Sequence, residues 1–240
     1  MRLGDFKVLS FDCYGTLIDW ETGIWNALQP LFAANASTQS REQALADFGA
    51  IEPVVEHEHP NLLYRDLLAK VHGTMASHWK LRSTNAFDTA FGHSIPDWPV
   101  FPDTRDALAW LKQHYRLMIL SNVDRQSFAA TNVKLGVTFD AICTAEDIGT
   151  YKPDPRNFEY LLKAVASLGH AKPELLHVAQ SLFHDIVPAE ALGIRRCWIN
   201  RRGDTGTGSG ATKAVTRMPA LDFTFSSLGA LADARRTGTN

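Results

Sequence analysis

Five short apolar runs, each halted by polar residues, constrain this chain more than any other feature. Phe6-Lys7-Val8-Leu9-Ser10-Phe11 stops at Asp12, and Arg116-Leu117-Met118-Ile119-Leu120 stops at Ser121-Asn122. Residues 140–144, 175–179 and 195–199 repeat the design, and Gln180-Ser181 follows the fourth run with Asp185 close behind. The runs are continuous rather than alternating, as strands covered on both faces must be. Helical stretches separate them. Pro102-Asp103 opens one running to about His114, Asp124 caps a second, Asp154-Pro155 opens a third and Pro188 lies near the start of a fourth. Strands alternating with helices predict an α/β fold with a doubly wound parallel sheet. Ligands in such sheets bind beyond the carboxyl ends of the strands, where these polar residues cluster.

Residues 19–97 break the alternation. Ile24, Ala27, Leu28 and Leu31 share one helical face, and Leu63, Leu67 and Val71 another. The segment leaves the sheet after its first strand and returns at Pro96-Asp97-Trp98-Pro99, so it is expected to form a helical cap domain. Residues 1–18 and 98–228 then make the core domain, with an edge strand at 222–226. Gly203–Gly210 is expected to be a linker rather than a phosphate loop, since no helix opens behind it. Residues 229–240 are expected to form a C-terminal tail whose last eight or so residues are frayed.

Composition removes several classes. Lys+Arg 24 against Asp+Glu 26 leaves a net charge of −2, without the positive excess that nucleic acid needs. No apolar run is long enough to span a membrane. The start lacks the apolar stretch of a signal peptide, and Cys13, Cys143 and Cys197 make no disulfide framework, so a cytoplasmic location is expected. A homodimer through an exposed apolar cap face is the expectation for self-association.

Four places carry chemistry. Asp12, at a strand end before Gly15-Thr16, is either an exposed, held carboxylate or a turn cap. Ser121 and Asn122 either hold an anionic oxygen or cap the helix after them. Lys152 either keeps a neighbouring carboxylate ionised or is a solvated surface lysine. Asp185 either positions a metal ion or water, or caps the helix near Pro188.

Together, Asp12-x-Tyr14-Gly15-Thr16, Ser121-Asn122, Lys152-Pro153-Asp154 and Asp185 resemble, in order and spacing, the four motifs of the haloacid dehalogenase-like hydrolases. The likeness runs to about residue 226. It implies a Rossmann-like core, an aspartate nucleophile and a helical cap. Tyr14 stands where phosphatases of that superfamily carry a second Asp, which protonates an alkoxide leaving group. Tyrosine, with a reference pKa near ~10, serves this purpose poorly at neutral pH. A halide needs no proton to leave, and Asp-x-Tyr-Gly-Thr with Cys197-Trp198-Ile199-Asn200-Arg201 is similar to the 2-haloacid dehalogenases. The resemblance therefore implies a halogenated carboxylic acid as substrate and Asp12, Lys152 and Asp185 as catalytic residues. It further implies Tyr14, Thr16, Ser121, Asn122, Phe158 and His184 around the substrate, with no cofactor and no metal. A magnesium-dependent phosphatase, with Asp12, the Tyr14 carbonyl and Asp185 as ligands, and a non-catalytic binding protein are the alternatives.

The chain also departs from that pattern. Phe158 replaces a tyrosine six residues after the motif lysine, and Leu182 and His184 replace an asparagine and an aromatic residue before Asp185. His184 is read as a halide, proton or carboxylate contact, or as a capping histidine. Those enzymes use a cap arginine; Arg41 and Arg65 are candidates, each more readily read as lying on a solvated helix face. His57 and His59 alternate on a predicted helix, point apart and are read as solvated.

Overall fold

A computed structural model describes residues 1–203 and 210–238. Strand β1 (Val8–Phe11) is followed by four helices, α1 (Trp20–Ala34), α2 (Arg41–Glu58), α3 (Tyr64–His78) and α4 (Asn85–Gly92). Then come α5 (Thr104–Leu111), β2 (Arg116–Ser121), α6 (Arg125–Leu135), β3 (Ala141–Thr144), α7 (Ala145–Ile148) and α8 (Pro155–Ser167). The chain closes with β4 (Leu175–Ala179), a π-helical turn (Leu182–Ile186), α9 (Val187–Ala191), β5 (Arg195–Ile199), β6 (Phe223–Phe225) and α10 (Leu228–Thr237).

All six strands are parallel, in the order β3-β2-β1-β4-β5-β6. The direction of winding reverses at β1, between β2 and β4, and a parallel sheet opens a crevice at that reversal. Alternate strand residues face opposite sides. Leu9, Phe11, Leu117 and Ile119 join one apolar cluster, whereas Val8, Met118 and Leu120 join a second with Phe158, Leu161 and Val165 of α8. The continuous apolar runs are thus explained by burial on both faces.

Local chemistry sets the helix starts. The Asp124 carboxylate accepts from the Ser127 N–H at 2.9 Å, and Asp154 caps α8 with Pro155 at its first position. Helix α5 is shorter than its sequence pattern, spanning Thr104–Leu111 only. The tail departs further. Residues 228–237 form α10, with Leu228, Leu231 and Ala232 buried beside α5, so they are not frayed. The apolar spacing of those leucines was the signal for a helix. Residues 239–240, and 204–209 of the expected linker, lie outside the described residues.

Helices α1 to α4 share one apolar cluster with the sheet: Trp20, Ile24, Phe48, Leu67, Val71 and Phe91 are continuous with Leu9, Phe11 and Leu117. The expected apolar cap face reduces, among large exposed hydrophobic side chains of the described residues 19–97, to Val54. No described helix is long and apolar enough to cross a membrane.

Candidate active site

The tip of β1 places Asp12 at the crevice, where it is 6 % exposed. Gly15 turns the chain directly after it at φ +93°, and a side chain there would meet Gln180 Oε1 and Trp20 Nε1 at 3.0 Å. Thr16 Oγ1 donates to Asp12 Oδ2 at 2.7 Å and accepts from the Gln180 N–H at 2.9 Å, tying the β1 loop to the end of β4. Arg201, beyond β5, donates to the Thr16 carbonyl from Nη2 at 2.7 Å and to Asp103 Oδ1 at 2.6 Å.

Lys152 is not a surface residue. Its side chain is 1 % exposed, and Nζ donates to Asp12 Oδ1 at 2.9 Å, Asp185 Oδ1 at 2.7 Å and the Leu120 carbonyl at 3.0 Å. Burial opposes its charge, but the Asp12 and Asp185 carboxylates outweigh burial and raise its pKa. Asp185 is fully buried. Burial pushes its pKa up, yet Lys152 and His177 hold it below the usual value. Asp12 lies on the other side of the balance: burial and the Asp185 charge raise it, against the pull of Lys152 and Thr16. Asp185 does not act as a helix cap, the alternative reading of it. Ser181 takes that place, accepting from the His184 N–H at 3.0 Å as the chain enters its π turn.

Sequence reasoning missed a support beneath these groups. His177 Nε2 lies 2.9 Å from Asp185 Oδ1, and its Nδ1 lies 2.8 Å from Ser10 Oγ. The sheet register sets Ser10 beside His177. Polar residues inside two apolar strand runs were the legible signal. Phe158, expected against substrate, is fully buried and packs edge-on against His177, with ring centroids 5.4 Å apart. It does not line the cavity. With phenylalanine at that position, no hydroxyl reaches upward and the ring braces His177 instead.

Of the remaining predicted residues all except Thr16, namely Asp12, Tyr14, Ser121, Asn122, Lys152, His184 and Asp185, join Trp20 and Ser181 in lining a cavity of about 30 Å³. That is room for roughly two water molecules. Tyr14 offers ring surface only, because its hydroxyl pairs with Thr131 Oγ1 at 2.9 Å. Asn122 accepts from the Lys152 N–H at 2.6 Å and donates to the Lys152 carbonyl at 3.0 Å, fixing the lysine's backbone. Ser121 Oγ, Asp185 Oδ2 and His184 Nε2 are buried without hydrogen-bond partners. Buried polar atoms are rarely left unpaired, so three around one cavity point to a polar occupant.

The opposite wall was not foreseen. Glu52 and Glu56 of α2, with Tyr64 of α3, complete the cavity. Tyr64 donates to Glu52 Oε1 at 2.5 Å and Asn122 Nδ2 donates to Glu56 Oε1 at 3.0 Å. Burial, then the Glu56 charge, pushes the Glu52 carboxyl up to about 8. His184 Nε2 lies 3.5 Å from Glu56 Oε2, an ion-pair separation without a completed hydrogen bond. Burial lowers the His184 pKa, but Glu56 reverses this and leaves it raised. Neither candidate arginine enters the cavity. Arg65 donates to Asp124 Oδ1 at 3.0 Å, and Arg41 donates to Thr22 Oγ1 at 2.9 Å.

The profile of the haloacid dehalogenase-like hydrolases matches residues 6–193. An (S)-2-haloacid dehalogenase of Pseudomonas sp. (strain YL) is 31% identical over 138 residues, 55% of this chain and 58% of that one. The chain thus spans little more than half of that relative. The (S)-2-haloacid dehalogenase 4A of Burkholderia cepacia is 25% identical over 198 residues, 81% of this chain and 83% of that one. In fold, the chain resembles an L-2-haloacid dehalogenase from Xanthobacter autotrophicus, with TM-score 0.78 at 19% identity over 96% of this chain and 98% of the other. It also resembles a HAD phosphatase from Thermococcus onnurineus, with TM-score 0.62 at 22% identity over 98% of this chain and 99% of the other. An aspartate, a lysine and a second aspartate meet at the sheet's reversal point, and the profile covers most of the sequence, so this chain belongs to the haloacid dehalogenase-like hydrolase family.

Proposed function

We propose that the protein hydrolyses the carbon–halogen bond of a short 2-halo carboxylic acid, with Asp12 as nucleophile. The observation that carries this is the pairing of a buried Asp12 with Lys152 beside a Tyr14 whose hydroxyl is committed to Thr131. A nucleophilic carboxylate is present, and the position two residues on offers no proton to a leaving group. Residues 1–18 and 98–228 serve as the core and 19–97 as the cap that closes the site.

An Asp12 carboxylate oxygen attacks the carbon bearing the halogen. The new C–O bond forms as the C–X bond breaks, and the halide departs with the electron pair. A water then attacks the ester carbonyl, the acyl–oxygen bond breaks, one water proton passes to the departing alkoxide and the other to solvent, and the 2-hydroxy acid leaves with the Asp12 carboxylate restored. Asp185 Oδ2, buried and unpartnered, is positioned to accept a hydrogen bond from that water. Thr16 holds Asp12 Oδ2, the unpartnered Ser121 hydroxyl is available to a substrate oxygen, Asn122 fixes the Lys152 backbone, and Lys152 favours the ionised carboxylate. Bond breaking at Asp12 asks for no metal, because halide is already a stable anion. A cavity this small must widen to admit even chloroacetate, so the shortest haloacids are the favoured substrates. An outer groove of about 550 Å³ shares Glu56 and Lys152 with the cavity and carries Lys213 beside an Arg156 that is paired with Asp154 at 2.8 Å.

The test offers chloroacetate, 2-chloropropionate and p-nitrophenyl phosphate to the same preparation. Halide release is expected, and Asp12→Asn should lower it at least ~10³-fold. A single turnover in ¹⁸O-water should leave the label in Asp12. Phosphate release with no halide release from any haloacid would replace this proposal with the phosphatase alternative.

A further inference from the structure

We infer that Glu52, Glu56 and His184 form a divalent-cation site on the cap side of the Asp12 cavity, distinct from Asp12 and Asp185. One ligand atom from each of the three lies within 4.8 Å of the others. Three ligands on an ion at ~2.1 Å stand ~3.4–3.6 Å apart, so the widest pair would close by up to about 1.4 Å. Glu52 and Glu56 stand four residues apart on α2 and share one face of it. His184 comes from the π turn and reaches the same point from the sheet side.

Two further features point to a ligand rather than to a chance cluster. His184 is 7 % exposed, and its Nε2 is buried beside Glu56 with no hydrogen bond made. Each carboxylate is also oriented by an outer donor on one oxygen, Tyr64 for Glu52 and Asn122 for Glu56. Ligating groups are commonly oriented by such outer partners. No arginine or lysine pairs with either glutamate in the described residues, and once a bound ion displaces their protons two carboxylates with a neutral imidazole carry the −2 charge that it matches. One nitrogen and two oxygens suit zinc, manganese or cobalt(II).

The site would also invert the sign of a wall that otherwise repels an acid. A cation there supplies the counter-charge that no cap arginine provides. That consequence rests on the haloacid reading, whereas the cation binding does not.

The test strips the full chain with chelator, then titrates cobalt(II) and follows visible d–d absorption and calorimetric stoichiometry. One cobalt per chain is expected. Glu52→Gln, Glu56→Gln and His184→Gln should each weaken binding at least ~10-fold, and Asp12→Asn should leave it unchanged. Circular dichroism identifies any variant that fails to fold, and the isosteric glutamine variants keep the acceptors for Tyr64 and Asn122. Absence of binding, or equal binding by the Glu52→Gln/Glu56→Gln double variant, overturns the site: the cluster would then be a proton-linked network only. Loss of binding in Asp12→Asn alone would move the ion to the sheet side and equally overturn it. If cobalt binds and no haloacid turns over, the site stands and the haloacid proposal falls.

Discussion

The sheet side and the helical side of the cavity are both built from buried carboxylates, yet they balance charge differently. On the sheet side, Asp12 and Asp185 flank Lys152, and His177 and Ser10 extend the chain of contacts beneath. On the helical side, Glu52 and Glu56 face each other with His184 as their one basic neighbour among the described residues. The difference teaches which wall is finished. The lower wall is internally compensated and keeps its geometry alone, whereas the upper one is compensated by protons or by something it binds.

Removing the lysine should give the largest effect. Lys152→Met leaves two buried carboxylates without their cation, and a loss of about 3–5 kcal/mol is expected in urea unfolding. A loss under ~1 kcal/mol would show that the sheet side is no better compensated than the helical side. An ion cluster remote from the cavity calibrates that figure. Burial raises the Asp140 pKa, but the Lys112 ammonium, the Leu117 N–H and Arg116 together depress it. Asp140→Asn is expected to cost about 1 kcal/mol at neutral pH. A depressed carboxylate contributes fully above its unfolded pKa of ~4, so the wild-type advantage should vanish as pH falls below that value.

Glu52→Gln tests the upper wall. It replaces a carboxyl that burial and Glu56 push toward its protonated form and keeps the acceptor for Tyr64, so metal-free stability should stay within ~1 kcal/mol of wild type or rise. A large loss would reveal compensation that the contacts do not show. Ser121→Ala should move stability least, by under ~0.5 kcal/mol, because the buried hydroxyl has no partner to lose. Its effect should fall on the KM for a haloacid, and an unchanged KM would remove Ser121 from the substrate contacts.

The two walls were not equally legible in the sequence. Asp12, Ser121 and Asp185 sit at the ends of apolar runs, and a parallel sheet gathers strand ends at one edge. Lys152 follows a strand and precedes a proline-started helix, so its place could be reasoned along the chain. Glu52 and Glu56 give no such sign, because two glutamates one turn apart ordinarily mark a solvated helix face. Only the packing of α2 against the sheet turns them inward, aided by Gly49, where a side chain would meet the Ala211 backbone at 2.8 Å. His57 and His59 drew the metal question because of their residue type, while the histidine facing the glutamates lay 125 or more positions farther along. Phe158 shows the converse: a family position was identified, but the loss of one hydroxyl changed what the side chain does there.

The inserted helices and the sheet share a single oily interior, with Trp20, Phe48 and Leu67 on one side and Phe11 and Leu117 on the other. Swinging the helices away would wet that seam, at ~25 cal/mol for every Å² of it. A path to Asp12 that spares the seam would run sideways, through the groove past Lys213 and Phe183. Hydrogen exchange in α1 and α3 as slow as in β1 would agree with a side entrance, and fast exchange confined to those helices would mean that the lid lifts.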